Sequence, residues 1–117
     1  MIFVIAGSSR ERLTELTKLL LSIFPGSTIY RHIDPLHVSK DVFNNKVRGV
    51  FLESEIGTRS GIDLMSKLRK RKSDIPIYIL SETEGFCSIA TKAGADGCFV
   101  YPLDKETIKN ALLTKQL

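Results

Sequence analysis

Acidic side chains occur in two short polar segments, each of which follows an apolar run of the sequence. They are Glu53, Glu55, Glu82 and Glu84. If the two segments meet in the fold, the four carboxylates repel one another and raise one another's pKa values unless a cation or an arginine neutralises them. Arg10 and Arg59 are the predicted neutralising residues, and the sequence favours them over a bound metal ion.

A second candidate site is the polar break Gly7-Ser8-Ser9, which lies between the apolar run IFVIA and a helical pattern. Backbone amides at a helix N-terminus attract anions, so a small anion or nucleotide site is one interpretation. The structural interpretation is helix capping by Ser8 or Ser9, and Ser8 is favoured because it has the spacing of a capping box with Glu11.

Cysteine and histidine are too few for a metal framework. Cys87 and Cys98 are accompanied only by His32 and His37, and the four lack the spacing of a zinc site. Two cysteines also make no disulfide framework, so the sequence predicts reduced thiols and a cytoplasmic location. Cys98 is interpreted as a small buried apolar residue rather than a redox group. Neither a metal nor a cofactor is predicted.

The basic run from Lys67 to Lys72 supplies much of the formal net charge of +4. Such a run can bind nucleic acid. It equally suits a solvated helix end, where cations complement the negative pole of the helix. The second interpretation is preferred, so nucleic-acid binding is not predicted.

Length and composition restrict the class of protein. The chain has 117 residues, 43% of them hydrophobic, which predicts one folded domain over residues 1–117. No apolar run approaches the roughly 20 residues of a membrane span. The first residues, MIFVIAG, are too short for a signal sequence.

The elements that position these residues alternate regularly along the chain. Apolar runs predict strands at 2–6, 27–33, 47–53, 75–81 and 98–101. Helical patterns follow each strand. One predicted helix runs from Pro35 to about Asn45, and two others are capped by Ser60 and Asp104. Ser54–Arg59 is predicted to be a polar loop. This alternation predicts an α/β fold, a doubly wound parallel sheet with helices on both faces. Ligands of such sheets bind beyond the carboxyl ends of the strands.

Three segments of the chain carry a resemblance to a known family. They are GVFLESEIGTRSGIDL, PIYILSE and AGADGCFVYPLDKETI. Over essentially its whole length the chain resembles the receiver domain of two-component response regulators. In that resemblance Glu53 stands at the phosphoacceptor position, Ser81 at the conserved hydroxyl and Tyr101-Pro102 at the Lys-Pro pair. It implies the flavodoxin-like strand order 2-1-3-4-5 and a cis bond before Pro102.

The resemblance also implies a chemistry from which this chain departs. Receivers phosphorylate an aspartate, hold Mg²⁺ with two acidic residues after the first strand, and clamp the product with lysine and Ser/Thr. Here the acceptor position is Glu53, the acidic pair is replaced by residues such as Gly7 and Ser8, and the lysine is Tyr101. Phosphoryl transfer needs positive charge around the transferred oxygens, and these residues supply almost none.

Two further positions bear on this departure. Cys98 occupies the switch position, where active receivers carry Tyr or Phe, and it is too small for that role. Glu53 has three interpretations: a structural carboxylate bonded to loop amides, a mimic of the phosphorylated state with Ser81 as donor, or a cation ligand. Tyr101 is expected to cover the emptied pocket.

The predicted function is therefore a non-catalytic pseudo-receiver, not an enzyme, that acts in two-component-type regulation through protein–protein contacts. One alternative is a phosphoacceptor receiver of a response regulator, such as the N-terminal regulatory part of a transcription factor; the other is a small anion or nucleotide binding domain. The resemblance implies that the fourth helix, fifth strand and fifth helix bind a protein partner or a second copy. The residues expected on that face are Phe86, Ile89, Phe99, Tyr101 and Lys105.

Overall fold

The computed structural model of the chain describes residues 1–72 and 74–114. In that part the strands are β1 (Ile2–Ala6), β2 (Thr28–His32), β3 (Gly49–Glu53), β4 (Glu55–Ile56), β5 (Arg59–Ser60), β6 (Ile77–Ser81) and β7 (Gly97–Val100). The helices are α1 (Arg10–Ile23), α2 (Val38–Asn44), α3 (Gly61–Arg71), α4 (Glu84–Lys92) and α5 (Lys105–Thr114).

Five strands form one parallel sheet in the order β2-β1-β3-β6-β7. The predicted fourth and fifth strands are β6 and β7, so this order confirms the predicted flavodoxin-like topology. Register pairs Ala6 of β1 with Leu52 of β3, and Glu53 of β3 with Leu80 of β6. The carboxyl ends of β1, β3 and β6 therefore meet at one edge.

Apolar side chains fill both faces of the sheet, as the continuous apolar runs predicted. Val4 and Ala6 face the side that α2, α3 and α4 cover, whereas Phe3 and Ile5 face α1 and α5. On the second side an aromatic row crosses four neighbouring strands. It consists of Phe3, Phe51, Tyr78 and Phe99, with successive ring centroids 6.3, 5.0 and 5.8 Å apart.

The segment predicted as a polar loop, Ser54–Arg59, instead contains a short hairpin. Glu55 of β4 pairs with Ser60 of β5, and Gly57 at the turn has φ +62°. Ile56 is fully buried, so one apolar side chain anchors an otherwise exposed hairpin to the core. The prediction missed it because two-residue strands leave almost no alternation in the sequence.

Helix starts differ in detail from the predictions. Ser9, not Ser8, caps α1, and its hydroxyl accepts a hydrogen bond from the Arg12 amide at 3.2 Å. α2 begins at Val38 rather than at Pro35, because the Asp34 carboxylate accepts the Leu36 amide at 2.9 Å and holds a turn there. The predicted caps Ser60 and Asp104 are confirmed for α3 and α5.

The basic run at the end of α3 is partly tied to the fold. The Arg69 guanidinium donates to the Ile75 and Gly94 carbonyls and pairs with Asp96 at 2.8 Å. The Lys72 ammonium donates to the Val42 carbonyl at 3.3 Å. The predicted solvated helix end therefore holds for Lys67, Lys70 and Arg71, which are exposed, and not for Arg69 and Lys72.

The cysteines correct another prediction. Cys87 of α4 and Cys98 of β7 form a disulfide, with their Cα atoms 5.4 Å apart. They are therefore not the reduced thiols that were expected from the sequence. No helix within the described residues is long and apolar enough to cross a membrane.

Candidate functional site

A cavity of about 460 Å³ lies at the edge where β1, β3 and β6 end. It is lined by Ser8, Ser9, Arg12, Glu53, Ser54, Glu55, Leu80, Ser81, Glu82, Thr83, Phe86 and Tyr101. The structure thus brings together Ser8, Glu53, Ser81 and Tyr101 as predicted. Gly7 belongs to the same site, because it lies directly against Glu53.

Glu53 is the last residue of β3 and is 7% exposed. A Cβ added at Gly7 would lie 1.9 Å from Glu53 Oε1, 2.4 Å from Cδ and 2.6 Å from Cγ. The glutamate side chain therefore occupies the space that a side chain at position 7 would need. Its Oε1 atom is buried and accepts no hydrogen bond from any described residue.

Burial sets the protonation behaviour of Glu53. Removal from water disfavours its charged form and raises the pKa of the carboxyl above its usual value. The positive charge of Arg12 and the nearby Ser9 amide and Tyr101 hydroxyl act in the opposite direction, and burial outweighs them.

Arg12 is the cation of this site. Its Nη1 atom lies 2.8 Å from Glu82 Oε1 and 4.0 Å from Glu53 Oε2. The hydrogen bond with Glu82 raises the pKa of the guanidinium, which is therefore charged. Arg12 thus links the ends of β3 and β6 from the first turn of α1.

Arg12 makes the ion pairs of this site, and among the described residues neither Arg10 nor Arg59 pairs with any of the four glutamates, so the prediction that those two arginines neutralise them was wrong. Arg12 could have been identified from its position three residues after the Ser9 cap, which places it in the first turn of α1. The prediction of Ser8 as the cap did not draw attention to it. Glu55 and Glu82 line the site as expected, whereas Glu84 lines cavities beside α4.

Tyr101 covers one side of the cavity, as predicted. The Arg12 guanidinium carbon lies 4.1 Å from the centroid of the Tyr101 ring, a cation–π contact. Burial raises the pKa of the Tyr101 hydroxyl well above its usual value, and the Glu53 carboxylate adds to the effect. Tyr101 is therefore neutral, and its bond to Pro102 is cis as expected.

The serines of the site bond within the chain. Ser81 Oγ donates to the Thr83 carbonyl and accepts from the Thr83 amide, both at 3.1 Å. It therefore does not donate to Glu53. The interpretation of Glu53 as a mimic of the phosphorylated state expected that hydrogen bond. Ser8 Oγ accepts from the Gly57 amide at 2.8 Å and donates to the Glu55 carbonyl at 3.3 Å. Ser8 thus fastens the β4–β5 hairpin to the start of α1.

The residues predicted for an interaction face separate into three groups: exposed, half-buried and buried. Ile89 is 58% exposed and Lys105 is exposed, while Phe86 and Tyr101 are half-buried beside the cavity. Phe99 is 8% exposed and packs in the aromatic row, so its assignment to the surface was wrong. Alternation along β7 turns its side chain toward α1 and α5 instead.

No family profile and no curated protein sequence matches the chain. Solved structures do match. A response regulator receiver domain protein from Clostridium thermocellum superposes with a TM-score of 0.85 at 15% identity, over 97% of this chain and 92% of that chain.

Two further matches have similar values. The signal receiver domain of a DNA binding response regulator (merR) from Colwellia psychrerythraea 34H gives 0.85 at 19% identity, over 97% and 96% of the two chains. The response regulatory domain of mrkE from Klebsiella pneumoniae gives 0.82 at 21% identity, over 99% and 95%. The chain has the fold of a response regulator receiver domain.

Proposed function

We propose that this domain is a phosphorylation-independent interaction module of a two-component-type regulatory system. The observation that carries the proposal is the packing of Glu53 against Gly7. Glu53 stands at the acceptor position of the resemblance, and this packing keeps its side chain in a buried space beside β1. A response regulator of this kind recognises a partner without taking up phosphate.

Burial of Glu53 bears on the acceptor step. An acceptor carboxylate attacks phosphorus, so one of its oxygens must be free to approach the phosphodonor in line. Here Oε1 lies where a residue-7 side chain would be, and Arg12 stands 4.0 Å from Oε2. The glutamate is also one methylene longer than aspartate, and a displacement of about 1 Å can lower a rate a hundredfold.

The residues do not fit the Mg²⁺ that phosphoaccepting receivers use. Mg²⁺ is usually held through one or two carboxylates in near-octahedral geometry. Position 7 is glycine, the Ser8 hydroxyl is bonded to the hairpin, and Glu82 is paired with Arg12. No group of three or more His, Cys, Asp or Glu side chains within the described residues is arranged to hold a metal ion.

The one cation that we identify in the site is already engaged. Arg12 donates to Glu82 and stacks on the Tyr101 ring, so an incoming phosphoryl group would have to displace both contacts. Tyr101, at the position of the clamping lysine, is neutral. These contacts support recognition rather than reaction.

The proposed contact surface is the outer side of α4, β7 and α5. Ile89 is a large apolar side chain at 58% exposure on α4, with Lys105 exposed at the start of α5. A large apolar side chain that is exposed in the free domain can supply the buried core of a protein contact, so we propose a protein partner or a second copy here. We expect Ile89→Asp to abolish association and Leu21→Asp, at a 38% exposed apolar position on α1, to leave it intact.

The deciding experiment is a titration with acetyl phosphate or beryllofluoride in the presence of Mg²⁺, followed by the amide NMR spectrum. We expect no saturable shift at Glu53, Ser81 or Tyr101, and no phosphorylated species by mass spectrometry. The Glu53→Gln variant is the matched control, because it keeps the shape and removes the nucleophile. A saturable shift in the wild type that is lost in Glu53→Gln would establish the phosphoacceptor alternative instead.

A further inference from the structure

Helix α4 is held to the sheet differently from the other long helices. α1 buries Leu13, Leu16 and Leu20, and α3 buries Leu64, Met65 and Leu68. The nine-residue α4 buries only Cys87 and Ala90, two small residues. Helices shorter than about 12 residues are marginal in isolation, so α4 depends on what fastens it to the sheet.

The Cys87–Cys98 disulfide is that fastening. It joins Cys87, on the inner side of α4, to Cys98 of β7, with a separation of 11 residues in the sequence. The other attachments of α4 are its Thr83 cap and the half-buried Phe86, both at its first turn, and the buried Ala90, whose side chain is a single methyl group. Beyond that turn, Ser88, Ile89, Thr91 and Lys92 are all exposed.

The disulfide is also within reach of a reductant. Cys98 is half-buried and Cys87 is 9% exposed, and both line a surface cavity with Glu84, Ser88, Thr91 and Lys92. Disulfides that a thiolate can approach from solvent exchange readily, whereas fully buried ones are inert. A disulfide that fastens a weakly packed helix and remains accessible has the features of a regulatory bond.

We propose that Cys87 and Cys98 form a reversible thiol–disulfide switch, which fixes α4 against β7 when oxidised and releases it when reduced. A dithiol reductant supplies the electrons. Its thiolate attacks Cys98 Sγ, the Sγ–Sγ bond breaks, and Cys87 leaves as a thiolate and takes up a proton. The second thiol of the reductant attacks the mixed disulfide and frees Cys98. The reductant leaves as a disulfide, and its two protons and two electrons reside on the cysteines.

Released α4 changes the surface that carries Ile89, while the sheet keeps its core on both faces. This inference does not require the proposed function, because it concerns the attachment of one helix. If that function also holds, the redox state of the pair sets the shape of the partner-binding surface.

The test is hydrogen–deuterium exchange on the intact protein, oxidised and after treatment with dithiothreitol, with alkylation to count free thiols. We expect reduction to speed amide exchange in residues 84–92 at least tenfold and to leave β1, β3 and α1 unchanged. Oxidised glutathione should restore the slow exchange.

The double variant Cys87→Ser/Cys98→Ser is the control. It should match the reduced wild type and ignore both reagents. Three results would overturn the proposal: a disulfide that excess dithiothreitol does not open in the folded protein, unchanged exchange in residues 84–92 after reduction, or equal acceleration throughout the sheet. The wild-type measurement stands alone if the variant does not fold.

Discussion

The contact between Gly7 and Glu53 yields a quantitative prediction for the variant Gly7→Ala. The φ angle of Gly7 is not in the left-handed region, so alanine fits its backbone and only the new methyl group matters. That methyl would lie 1.9 Å from Glu53 Oε1, whereas ordinary contact begins at 3.4 Å. The carboxyl must therefore retreat by about 1.5 Å or more to reach normal contact distance.

Overpacking of this kind costs about 1–3 kcal/mol. Alanine also restricts the unfolded chain, which returns about 0.4–1 kcal/mol. We expect Gly7→Ala to lower the free energy of unfolding by about 1.5 kcal/mol, which for a chain of this size lowers Tm by roughly 6 °C. Urea denaturation and calorimetry measure both quantities.

The partner substitution supplies the matched controls. Glu53→Ala removes the three atoms nearest to the new methyl, so Gly7→Ala should then cost nothing, giving a coupling energy of about 1.5 kcal/mol in a double-mutant cycle. Glu53→Gln keeps the shape, so in that background the cost should persist. An equal cost of Gly7→Ala in the wild-type and Glu53→Ala backgrounds would refute the assigned contact.

Three further predictions concern the same site. Burial raises the pKa of Glu53, so its contribution to stability is present below its unfolded pKa of about 4.3 and is lost as pH rises through the folded value. The wild type should therefore lose stability relative to Glu53→Gln above about pH 4. A difference in unfolding free energy that stays constant with pH in urea denaturation would contradict this. Arg12→Gln should raise the pKa of Glu53 further, since the guanidinium charge lowers it. It should also lower the free energy of unfolding by about 1 kcal/mol, because the Glu82 ion pair and the Tyr101 ring contact are lost. An unchanged midpoint in an NMR titration of the Glu53 carboxyl would contradict the first expectation. Gly61→Ala should cost roughly 3 kcal/mol, because its Cβ would lie 2.1 Å from the Glu53 carbonyl oxygen, which the sheet holds in place; a change below about 0.5 kcal/mol in unfolding free energy would refute it.

The sheet could be predicted from the sequence because both of its faces are buried. Runs such as IFVIA and IPIYIL carry no polar residue, which is typical of the interior of a parallel sheet. The β–α alternation then leaves few topologies, since parallel crossovers are right-handed. The same reasoning places Glu53 and Ser81 together, because both end central strands.

Contacts that depend on side-chain orientation were not accessible in this way. Arg12 reaches the site from the first turn of α1, and the sequence pattern does not fix whether Ser8 or Ser9 begins that turn. The disulfide depends on α4 presenting Cys87 toward β7, and the few apolar positions of this nine-residue helix do not fix that rotation. Phe99 was assigned to the surface although strand alternation turns it inward.

The interlocking of Glu53 with Gly7 also restricts how such a domain can change over time. An aspartate gained at position 7 would meet the glutamate already filling its space, so this substitution is disfavoured while Glu53 remains. Shortening residue 53 must come first, and the acidic residue can follow. Any gain of an acidic residue at position 7 therefore has a preferred order of steps, and a library that varies both positions together should recover the pair more often than stepwise selection beginning at position 7.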